Sequence, residues 1–369
     1  MSEPVRVLMV NYKMQCAGIE SFIMNMYRNI DRSKVQFDFL VHYRAPQFYD
    51  KEIEKLGGKI YRLSVREDNN FIKYFRDLKI FFEEHPEYKI VHGHMESFGV
   101  FYLRAAKLAG IPTRIAHSHI AQKNDGLKGT AKHILNRFYR TYATDLFACS
   151  DEAGKFLFGN RKYTVFNNAI DTKKFVFSPE ERKRVRAELG VSEDDFIVGH
   201  VGRFNQQKNH MFLIDIFNEI QKKNEKAKLL LIGEGDLYNA VVKYANDLKI
   251  RDKILFMGIR ADVNRIYQAM DVFVMPSLFE GLPVSGIEAQ AAGLPCVFSD
   301  TITRQTAITP NVKFISLNDS KGSWAEKILD FSNSVVRTDM SKYIYEAGYD
   351  IGVEVSKLQN FYISRAKND

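Results

Sequence analysis

Short apolar runs alternate along the chain with longer segments in which apolar residues recur every three to four positions. The runs, such as Val5–Asn11 and Phe37–His42, are rich in β-branched and aromatic residues and have the length of buried strands. The longer segments, such as residues 71–84, have the spacing of amphipathic helices. This regular alternation predicts an α/β protein with parallel sheets.

The alternation occurs twice along the chain. Strands of the first half are predicted to begin at residues 5, 37, 60, 90, 113, 145 and 163, which gives a sheet of six or seven strands. After the segment Ala169–Phe175, a charged helix at 179–189 marks a change of composition and indicates the interdomain linker. Strands of the second half are predicted at 196–202, 228–232, 253–257, 271–276 and 295–300.

Two such halves predict two doubly wound, Rossmann-like domains that face each other across a cleft. The first covers residues 1–172, and the second covers residues 173–350. A last helix, within residues 351–369, lies beyond the second sheet and is expected to cross back onto the first domain.

The most informative stretch is the strand, loop and helix between Asp271 and Ala292. Glu280 falls in the loop and Glu288 in the first turns of the helix, at the edge where open α/β sheets bind ligands. Backbone N–H groups near Ser285, at the helix start, favour an anion such as phosphate. Either glutamate alone is more often an ordinary solvated carboxylate, but the pair in this frame indicates a ligand site.

A second group of charges follows the first strand of the second half. Arg203 and Lys208 lie in the first strand-to-helix loop, and a guanidinium fork beside a flexible ammonium suits a diphosphate. Either residue alone would be unremarkable. If the helix start at 283–286 faces them, a pyrophosphate leaving group could be neutralised without a metal ion.

Two predicted strands of the first half each end in a His-x-His pair, His92 with His94 and His117 with His119. This spacing could bind zinc, but no acidic or thiol partner follows either pair, so no metal site is predicted. A strand-tip histidine that contacts substrate hydroxyls or phosphate is the better functional interpretation. Most of the four are expected to be ordinary core or surface histidines.

Composition and charge indicate the cell compartment of the protein and its possible contact with a membrane. The chain has 369 residues, three scattered cysteines and no apolar run long enough to span a bilayer, and its start lacks the features of a signal peptide, so we expect a cytoplasmic protein. The net charge of +8 is concentrated in residues 101–186, with 17 Lys and Arg against 7 Asp and Glu. A basic helical pattern at 130–142 is either a solvated face or a peripheral contact with the anionic inner face of the cell membrane. No nucleic-acid-binding module is recognised.

Several of these motifs together resemble the retaining glycosyltransferases of family 4, which have the GT-B fold. The donor half carries the resemblance in Gly202-Arg203, Lys208-Asn209, Gly233-Glu234-Gly235, Glu280-Gly281-x-Pro and Glu288. The first half is similar in Ala17-Gly18-Ile19-Glu20, the His92/His94 strand, Ile115–His119 and Asn167–Asp171. The sequence of this half most resembles that of exopolysaccharide and capsule enzymes. The resemblance covers nearly the whole chain, and it implies that the first domain binds the acceptor and the second binds the donor.

The resemblance implies a hexosyltransferase that moves a sugar from a nucleotide-diphosphate-sugar to a lipid-linked or saccharide acceptor in exopolysaccharide or capsule synthesis. A UDP-sugar is favoured over a GDP-sugar, and no metal or other cofactor is expected. The implied chemistry retains the anomeric configuration. Front-face attack with the leaving phosphate as base is favoured, because no carboxylate is evidently placed as a nucleophile.

The resemblance also assigns roles to residues. Arg203 and Lys208 would bind the donor diphosphate, Glu280 would contact the donor sugar, and Glu288 would hold the ribose hydroxyls. His119, favoured over His117, would lie beside the transferred sugar. The implied catalytic residues are Glu280, His119, Arg203 and Lys208. The implied donor-binding residues are Gly18, Gly202, Arg203, Lys208, Gly233, Gly258, Glu280, Gly281, Leu282, Pro283, Val284, Ser285 and Glu288.

Two departures from the family pattern remove no charged group. Ala17 precedes Gly18 where the family usually has two glycines, and Ala169 follows Asn168 where it usually has glycine. Two other functions remain open. One is a non-catalytic GT-B partner that binds nucleotide for another transferase, and the other is a nucleotide-sugar epimerase, which would turn over the donor alone. The presence of all four charged donor-site residues favours the transferase.

Overall fold

The structure is a computed structural model. It describes residues 3–63, 65–68, 70–119, 135–136 and 138–367. The chain forms two compact units, one made of the residues up to Ala169 together with the segment from Ile351, the other of Ile170–Asp350. The first unit thus ends inside the predicted linker. Among the described residues, no helix is both long and apolar enough to cross a bilayer.

A seven-stranded, all-parallel sheet forms the centre of the first unit, in the order β3–β2–β1–β4–β5–β6–β7. Its strands are β1 (Val5–Val10), β2 (Val35–Val41), β3 (Ile60–Arg62), β4 (Ile90–Gly93), β5 (Thr113–Ser118), β6 (Asp145–Ala148) and β7 (Thr164–Val165). Its helices before the linker include α1 (Gly18–Asn29), α2 (Asp50–Lys55), α3 (Val65–Asp68), α4 (Phe71–Glu84), α5 (Gly99–Leu108) and α6 (Asp151–Phe158). Of the helical pattern expected at 130–142, residues 135, 136 and 138–142 are helical, and the rest lie outside the described residues.

The second unit contains a six-stranded parallel sheet in the order β10–β9–β8–β11–β12–β13, which is the doubly wound arrangement. Its strands are β8 (Phe196–Val201), β9 (Ala227–Ile232), β10 (Ile254–Phe256), β11 (Val272–Met275), β12 (Cys296–Ser299) and β13 (Val312–Ile315). Its helices are α7 (Pro179–Glu188), α8 (His210–Lys223), α9 (Tyr238–Asp247), α10 (Val263–Ala269), α11 (Val284–Ala291), α12 (Lys321–Ser334) and α13 (Ser341–Glu346). The sequence did not predict β13, a four-residue edge strand of mostly half-buried positions whose alternation is too short to be distinctive.

The C-terminal helix α14 (Ile351–Lys367) belongs to the first unit. Its Val355, Leu358 and Tyr362 lie in the same hydrophobic core as Phe37 of β2 and Phe22 of α1. The predicted fold class is confirmed: two parallel-sheet α/β units, with the C-terminal helix returning to the first.

Candidate functional site

Two loops at the carboxyl edge of the second sheet are tied together by hydrogen bonds. One follows β8 and the other follows β11, and these two strands are neighbours in the sheet. The Leu278 N–H donates to the Gln207 carbonyl at 2.8 Å, and the Gln207 side-chain amide donates to the Phe279 carbonyl at 3.0 Å. The Asn209 side-chain amide donates to the Pro276 carbonyl at 3.1 Å. These bonds bring the two predicted charged segments into one site.

Within that site, Lys208 and Glu280 form an ion pair. Lys208 Nζ lies 2.7 Å from Glu280 Oε1, and the two side chains are only 14% and 9% exposed. Both backbones are fixed, because the Lys208 N–H donates to Asn205 Oδ1 at 3.1 Å and Glu280 forms an isolated bridge with Ile302. Since the pair is shielded from water, it is stronger than a surface ion pair.

Arg203 differs from Lys208 in having no such partner. Its side chain is exposed, and no carboxylate of the described residues lies within ion-pair distance of it. Lys208 is already paired with Glu280, so Arg203 supplies an uncompensated positive charge at this edge. A fork of guanidinium N–H donors in that position suits an anion with several oxygens.

The starts of two helices add backbone donors. The N-cap of α8 is Asn209, which is left-handed at φ 56° and makes no side-chain cap because its amide binds the Pro276 carbonyl. The N-cap of α11 is Pro283, which also makes no side-chain cap. The first N–H groups of a helix have no acceptor within the helix, so both starts can bind an anion.

The predicted glycines fall into two groups. A Cβ added to Gly233, which has φ 136°, would lie 2.1 Å from the Gly202 carbonyl oxygen, so close backbone approach explains that glycine. The Gly233 N–H also donates to the Gly258 carbonyl at 2.9 Å, which places these three glycines at one sheet edge. A Cβ added to Gly18 or Gly281 would meet nothing within 4 Å. The last two therefore adjoin open space.

Glu288 lies in α11, as predicted, beside a tyrosine that the sequence did not single out. The Tyr267 hydroxyl is 3.1 Å from Glu288 Oε2 and 3.1 Å from the Ser285 carbonyl, and it can donate to either. Burial raises the pKa of Glu288 to about 7, against the opposing effect of the Tyr267 hydrogen bond. Near neutral pH this carboxyl therefore exists in both forms, and only the ionised form is purely a hydrogen-bond acceptor.

The remaining predicted residues of this segment line the start of α11. Leu282 and Val284 pack against the buried core of the second unit, and Pro283 is buried as the N-cap. The Gly286 N–H donates to the Pro283 carbonyl at 2.9 Å, closing the first turn. Ser285 is half-buried in that turn.

In the first unit, the four predicted histidines form two pairs between neighbouring strand ends. His92 Nε2 lies 3.0 Å from His117 Nδ1, and His94 Nδ1 lies 2.8 Å from His119 Nε2. Three of the four are buried, and His119 alone of these four is partly exposed. Burial lowers the pKa of His119 to about 3 and that of the other three well below the usual value, so all four are neutral at physiological pH.

These histidines also meet a distance criterion for a metal site. Single nitrogens of His92, His94 and His117 lie within 4.8 Å of one another. The rings of His92 and His94, however, are stacked 4.4 Å apart with planes 23° from parallel. Because an imidazole lone pair lies in the ring plane, stacked rings direct their lone pairs side by side and not toward one ion. The expectation of no metal site stays a prediction, and this geometry favours it.

Tyr267 and Tyr362, which contact predicted residues through their hydroxyls, escaped the sequence analysis. Tyr267 contacts Glu288, and the Tyr362 hydroxyl lies 2.5 Å from His92 Nδ1. Each tyrosine occupies a helix position with the spacing of a core residue, and both are fully buried. A single sequence gives no signal that separates such a residue from ordinary core.

Comparison with known proteins identifies relatives across the chain. Residues 181–349 match the family model described as "Glycosyl transferases group 1". The chain is 34% identical over 379 aligned residues to the putative glycosyltransferase EpsF of Bacillus subtilis (strain 168), covering 100% of this chain and 99% of that protein. It is 28% identical over 300 residues to the UDP-Gal:alpha-D-GlcNAc-diphosphoundecaprenol alpha-1,3-galactosyltransferase of Escherichia coli, covering 76% and 77% of the two chains.

The structure resembles solved structures as well. It matches Anabaena HepE in complex with UDP-glucose with a TM-score of 0.78 and 16% identity, over 97% of this chain and 99% of that chain. Likeness at this identity concerns the fold alone, and that fold is GT-B.

Proposed function

The chain belongs to the group 1 glycosyltransferases and acts in sugar transfer for polysaccharide synthesis, and from that membership we propose a specific reaction. The protein is a retaining, metal-independent hexosyltransferase that transfers a sugar from a UDP-sugar to a lipid-linked or saccharide acceptor, in exopolysaccharide or capsule synthesis. The observation that carries this proposal is the shielded Lys208–Glu280 pair. It joins the loops after β8 and β11 beside the uncapped start of α8.

The diphosphate would bind at the carboxyl edge of the second sheet. Arg203 offers a guanidinium with no ion-pair partner among the described residues, and the starts of α8 and α11 offer backbone N–H groups. Together these donors can stabilise the negative charge that develops on a departing nucleoside diphosphate, which is where such stabilisation accelerates transfer. A metal ion is not required for that charge balance.

Lys208 and Glu280 would bind different groups of the donor, the phosphate and the sugar. A phosphate that approaches Lys208 competes with Glu280 for its ammonium group, which frees a Glu280 oxygen to accept a hydrogen bond from a sugar hydroxyl. Since the freed oxygen then accepts from a sugar hydroxyl, Glu280 orients the donor sugar in this proposal and does not attack carbon. The proposed route is front-face attack with the leaving phosphate as base, which retains the anomeric configuration.

Uridine is the favoured base because of two relatives. The name of the E. coli relative specifies UDP-Gal, and the Anabaena HepE structure contains UDP-glucose. The same E. coli name specifies an acceptor linked to diphosphoundecaprenol, which supports a lipid-linked acceptor for this chain. The role of Glu288 as a partner of the ribose hydroxyls fits its place in α11 beside the helix start.

A lipid-linked acceptor would require contact with a membrane surface, and one face of the first unit suits it. The helices α4 and α5 pack side by side, and they expose Ile72 (88%), Leu108 (70%) and Phe71 (48%). Their exposed basic residues are Arg76, Lys79, Arg104 and Lys107, and the acidic residues Glu83 and Glu84 are exposed at the end of α4. Apolar side chains among basic ones are typical of helices that lie on anionic bilayers. Cosedimentation with anionic vesicles should fall in high salt and in the variant with Ile72→Ser and Leu108→Ser, whereas salt-insensitive cosedimentation would contradict this contact.

Nucleotide binding by calorimetry tests the donor site. With EDTA present, we expect UDP to bind more tightly than GDP, and Arg203→Ala to weaken UDP binding. A matched control is Arg260→Ala, because Arg260 is half-exposed in the same unit but is bound to Asp262. Failure of both nucleotides to bind would overturn the donor-site proposal. Nucleotide binding without any transfer to undecaprenyl-linked or saccharide acceptors would instead favour a non-catalytic partner, and turnover of donor alone would favour an epimerase.

A further inference from the structure

The two histidine pairs of the first unit differ in where they end. The inner pair, His92 and His117, continues to the buried Tyr362 hydroxyl of α14, 2.5 Å from His92 Nδ1. The outer pair, His94 and His119, ends at the partly exposed His119, just beyond the last residue of β5. The outer pair is therefore the one whose terminal ring can reach a bound molecule.

A hydrogen bond between two neutral imidazoles fixes the proton position on both rings. Each neutral ring has one N–H and one bare nitrogen, so the ring that donates and the ring that accepts have defined tautomers. Either His94 Nδ1–H donates to His119 Nε2, or His119 Nε2–H donates to His94 Nδ1. In both arrangements the remaining nitrogen of His119 is Nδ1, which is an N–H donor in the first case and a bare acceptor in the second.

The surroundings of His94 decide between them. His94 Nε2 is buried and has no hydrogen-bond partner among the described residues. In the second arrangement this nitrogen would carry a buried, unpaired N–H, whereas in the first it would be a bare lone pair. Orphaned buried N–H groups are rarer in proteins than under-satisfied acceptors, and a buried donor without a partner is destabilising. The first arrangement is favoured.

We propose that His94 is a positioning residue that holds His119 as the Nδ1–H tautomer and so makes His119 a hydrogen-bond donor to a sugar substrate at the carboxyl edge of the first sheet. This inference rests on the proposed function. In this role His119 donates a hydrogen bond to a hydroxyl or phosphate oxygen of that substrate and keeps its proton. His94 itself touches no substrate; it acts through the 2.8 Å bond between the pair.

Local packing supports a fixed orientation for His119. Phe22 of α1 lies edge-on to the His119 ring, with centroids 5.3 Å apart, and His117 stacks on it at 4.2 Å. The rings that contact His119 are thus aromatic or imidazole, and the nearby imidazoles are neutral because burial lowers their pKa. The stacking of His117 and the edge contact of Phe22 restrict rotation of His119, and the hydrogen bond from His94 selects the tautomer.

Imidazole ¹⁵N NMR on the full-length protein, labelled at histidine, measures the tautomer directly. We expect His119, assigned by loss of its signals in His119→Gln, to be protonated at Nδ1 in the wild type. The His94→Leu variant removes the donor, so His119 should lose its single tautomer. His94→Asn retains a side-chain amide donor near the position of Nδ1 and should preserve it. His92→Asn is the matched control, because His92 is equally buried on the same strand but belongs to the inner pair.

Kinetics and ligand titration then test the role. We expect His94→Leu to lower kcat roughly 10- to 100-fold, the scale on which the loss of a histidine's outer hydrogen-bond partner acts, with little change in UDP affinity. His94→Asn should recover most of that loss. In the wild type, UDP-sugar should shift the His119 Nδ1 resonance more than UDP does.

Three outcomes would overturn the inference. An Nε2–H tautomer for His119 in the wild type would refute the assigned direction of the bond. A tautomer unchanged in His94→Leu, measured on protein whose thermal unfolding remains cooperative, would refute the positioning role. Stoichiometric Zn²⁺ binding that is lost in His94→Leu would make the cluster a metal site. The NMR result does not depend on detecting transfer, so absence of transfer in the wild type refutes the proposed function without affecting the tautomer assignment.

Discussion

The carboxyl edges of the two sheets use opposite chemistry on similar frameworks. The edge of the second sheet has the charged groups Arg203, Lys208 and Glu280, together with two uncapped helix starts. The edge of the first sheet has four neutral histidines, three of them buried. Both sheets are parallel and doubly wound, so the framework does not dictate the difference. The first kind of edge suits binding of a charged diphosphate, and the second suits orientation of an uncharged, hydroxyl-rich group.

Removal of the shielded lysine should have the largest effect. In Lys208→Ala, Glu280 loses its partner and the site loses a cation, so we expect kcat/KM to fall by roughly 10²- to 10³-fold, the scale for loss of one transition-state donor. Steady-state transfer assays measure this. Lys222→Ala is the matched control, because Lys222 lies at the other end of α8 in an exposed pair with Glu219. Similar activity in the two variants would refute a role for the charged edge.

At the charged edge, two glycine substitutions distinguish a glycine that the fold requires from a glycine that adjoins the ligand. Gly233→Ala forces a Cβ against the Gly202 carbonyl at φ 136°, and we expect it to lower the free energy of unfolding by about 3 kcal/mol. Gly281→Ala has room and should change that free energy by less than about 0.5 kcal/mol while weakening binding of the nucleotide-sugar. Thermal unfolding and calorimetry of both variants provide the measurement. Equal stability losses would contradict the assignment of Gly281 to ligand space.

The pH dependence of nucleotide affinity should report on Glu288. Its pKa is raised to about 7, so protonation removes the carboxylate below that pH, and UDP affinity should drop about tenfold between pH 8 and pH 6. Glu288→Gln should lack this step. The terminal phosphate of UDP titrates near the same pH in both proteins, so the difference between the two curves isolates Glu288.

The raised pKa of Glu288 also predicts a change in the free energy of unfolding, and its pH dependence is opposite to that of UDP affinity. A carboxyl whose folded-state pKa exceeds its unfolded value penalises the folded state as the pH rises from about 4.5 to about 7. Glu288→Gln should therefore be stabilised relative to the wild type at pH 8 and not at pH 4. Urea unfolding at the two pH values measures the difference, and a larger benefit at pH 4 would contradict the raised pKa.

At the neutral edge, loss of the Tyr362 hydroxyl should affect stability but not nucleotide binding. Tyr362→Phe removes a buried hydroxyl that lies 2.5 Å from His92 Nδ1, which should lower the free energy of unfolding by about 1–2 kcal/mol. UDP affinity should not change, because the charged edge is intact. Tyr343→Phe is the control, since Tyr343 is exposed and its loss should have no effect on thermal unfolding. A loss of UDP affinity in Tyr362→Phe would break the distinction between the two edges.

Much of the architecture could be predicted because it is local. The helix over residues 71–84 and the strands before Glu280 and His119 follow from periodicity and flanking glycine or proline residues. Parallel strands place their carboxyl ends at one edge, so the clustering of His92 with His117 and of Lys208 with Glu280 also followed in outline.

The missing parts are contacts between residues far apart in sequence. Lys208 and Glu280 pair across 72 positions, and Tyr362 reaches His92 across 270. Neither contact leaves a periodic trace in a single sequence. The strand β13 escaped prediction for another reason, since a four-residue edge strand with three half-buried positions lacks the apolar run of a central strand.

The return of α14 to the first unit has a consequence for how the protein is made. A ribosome that has completed residues up to Ala169 has not yet supplied Val355, Leu358 and Tyr362, which belong to the core of that unit. Domains usually fold in the order in which they emerge. In this protein the second unit can complete its fold while the first unit still exposes an apolar face to chaperones and proteases. The first half of this enzyme to be synthesised is thus the last to be finished.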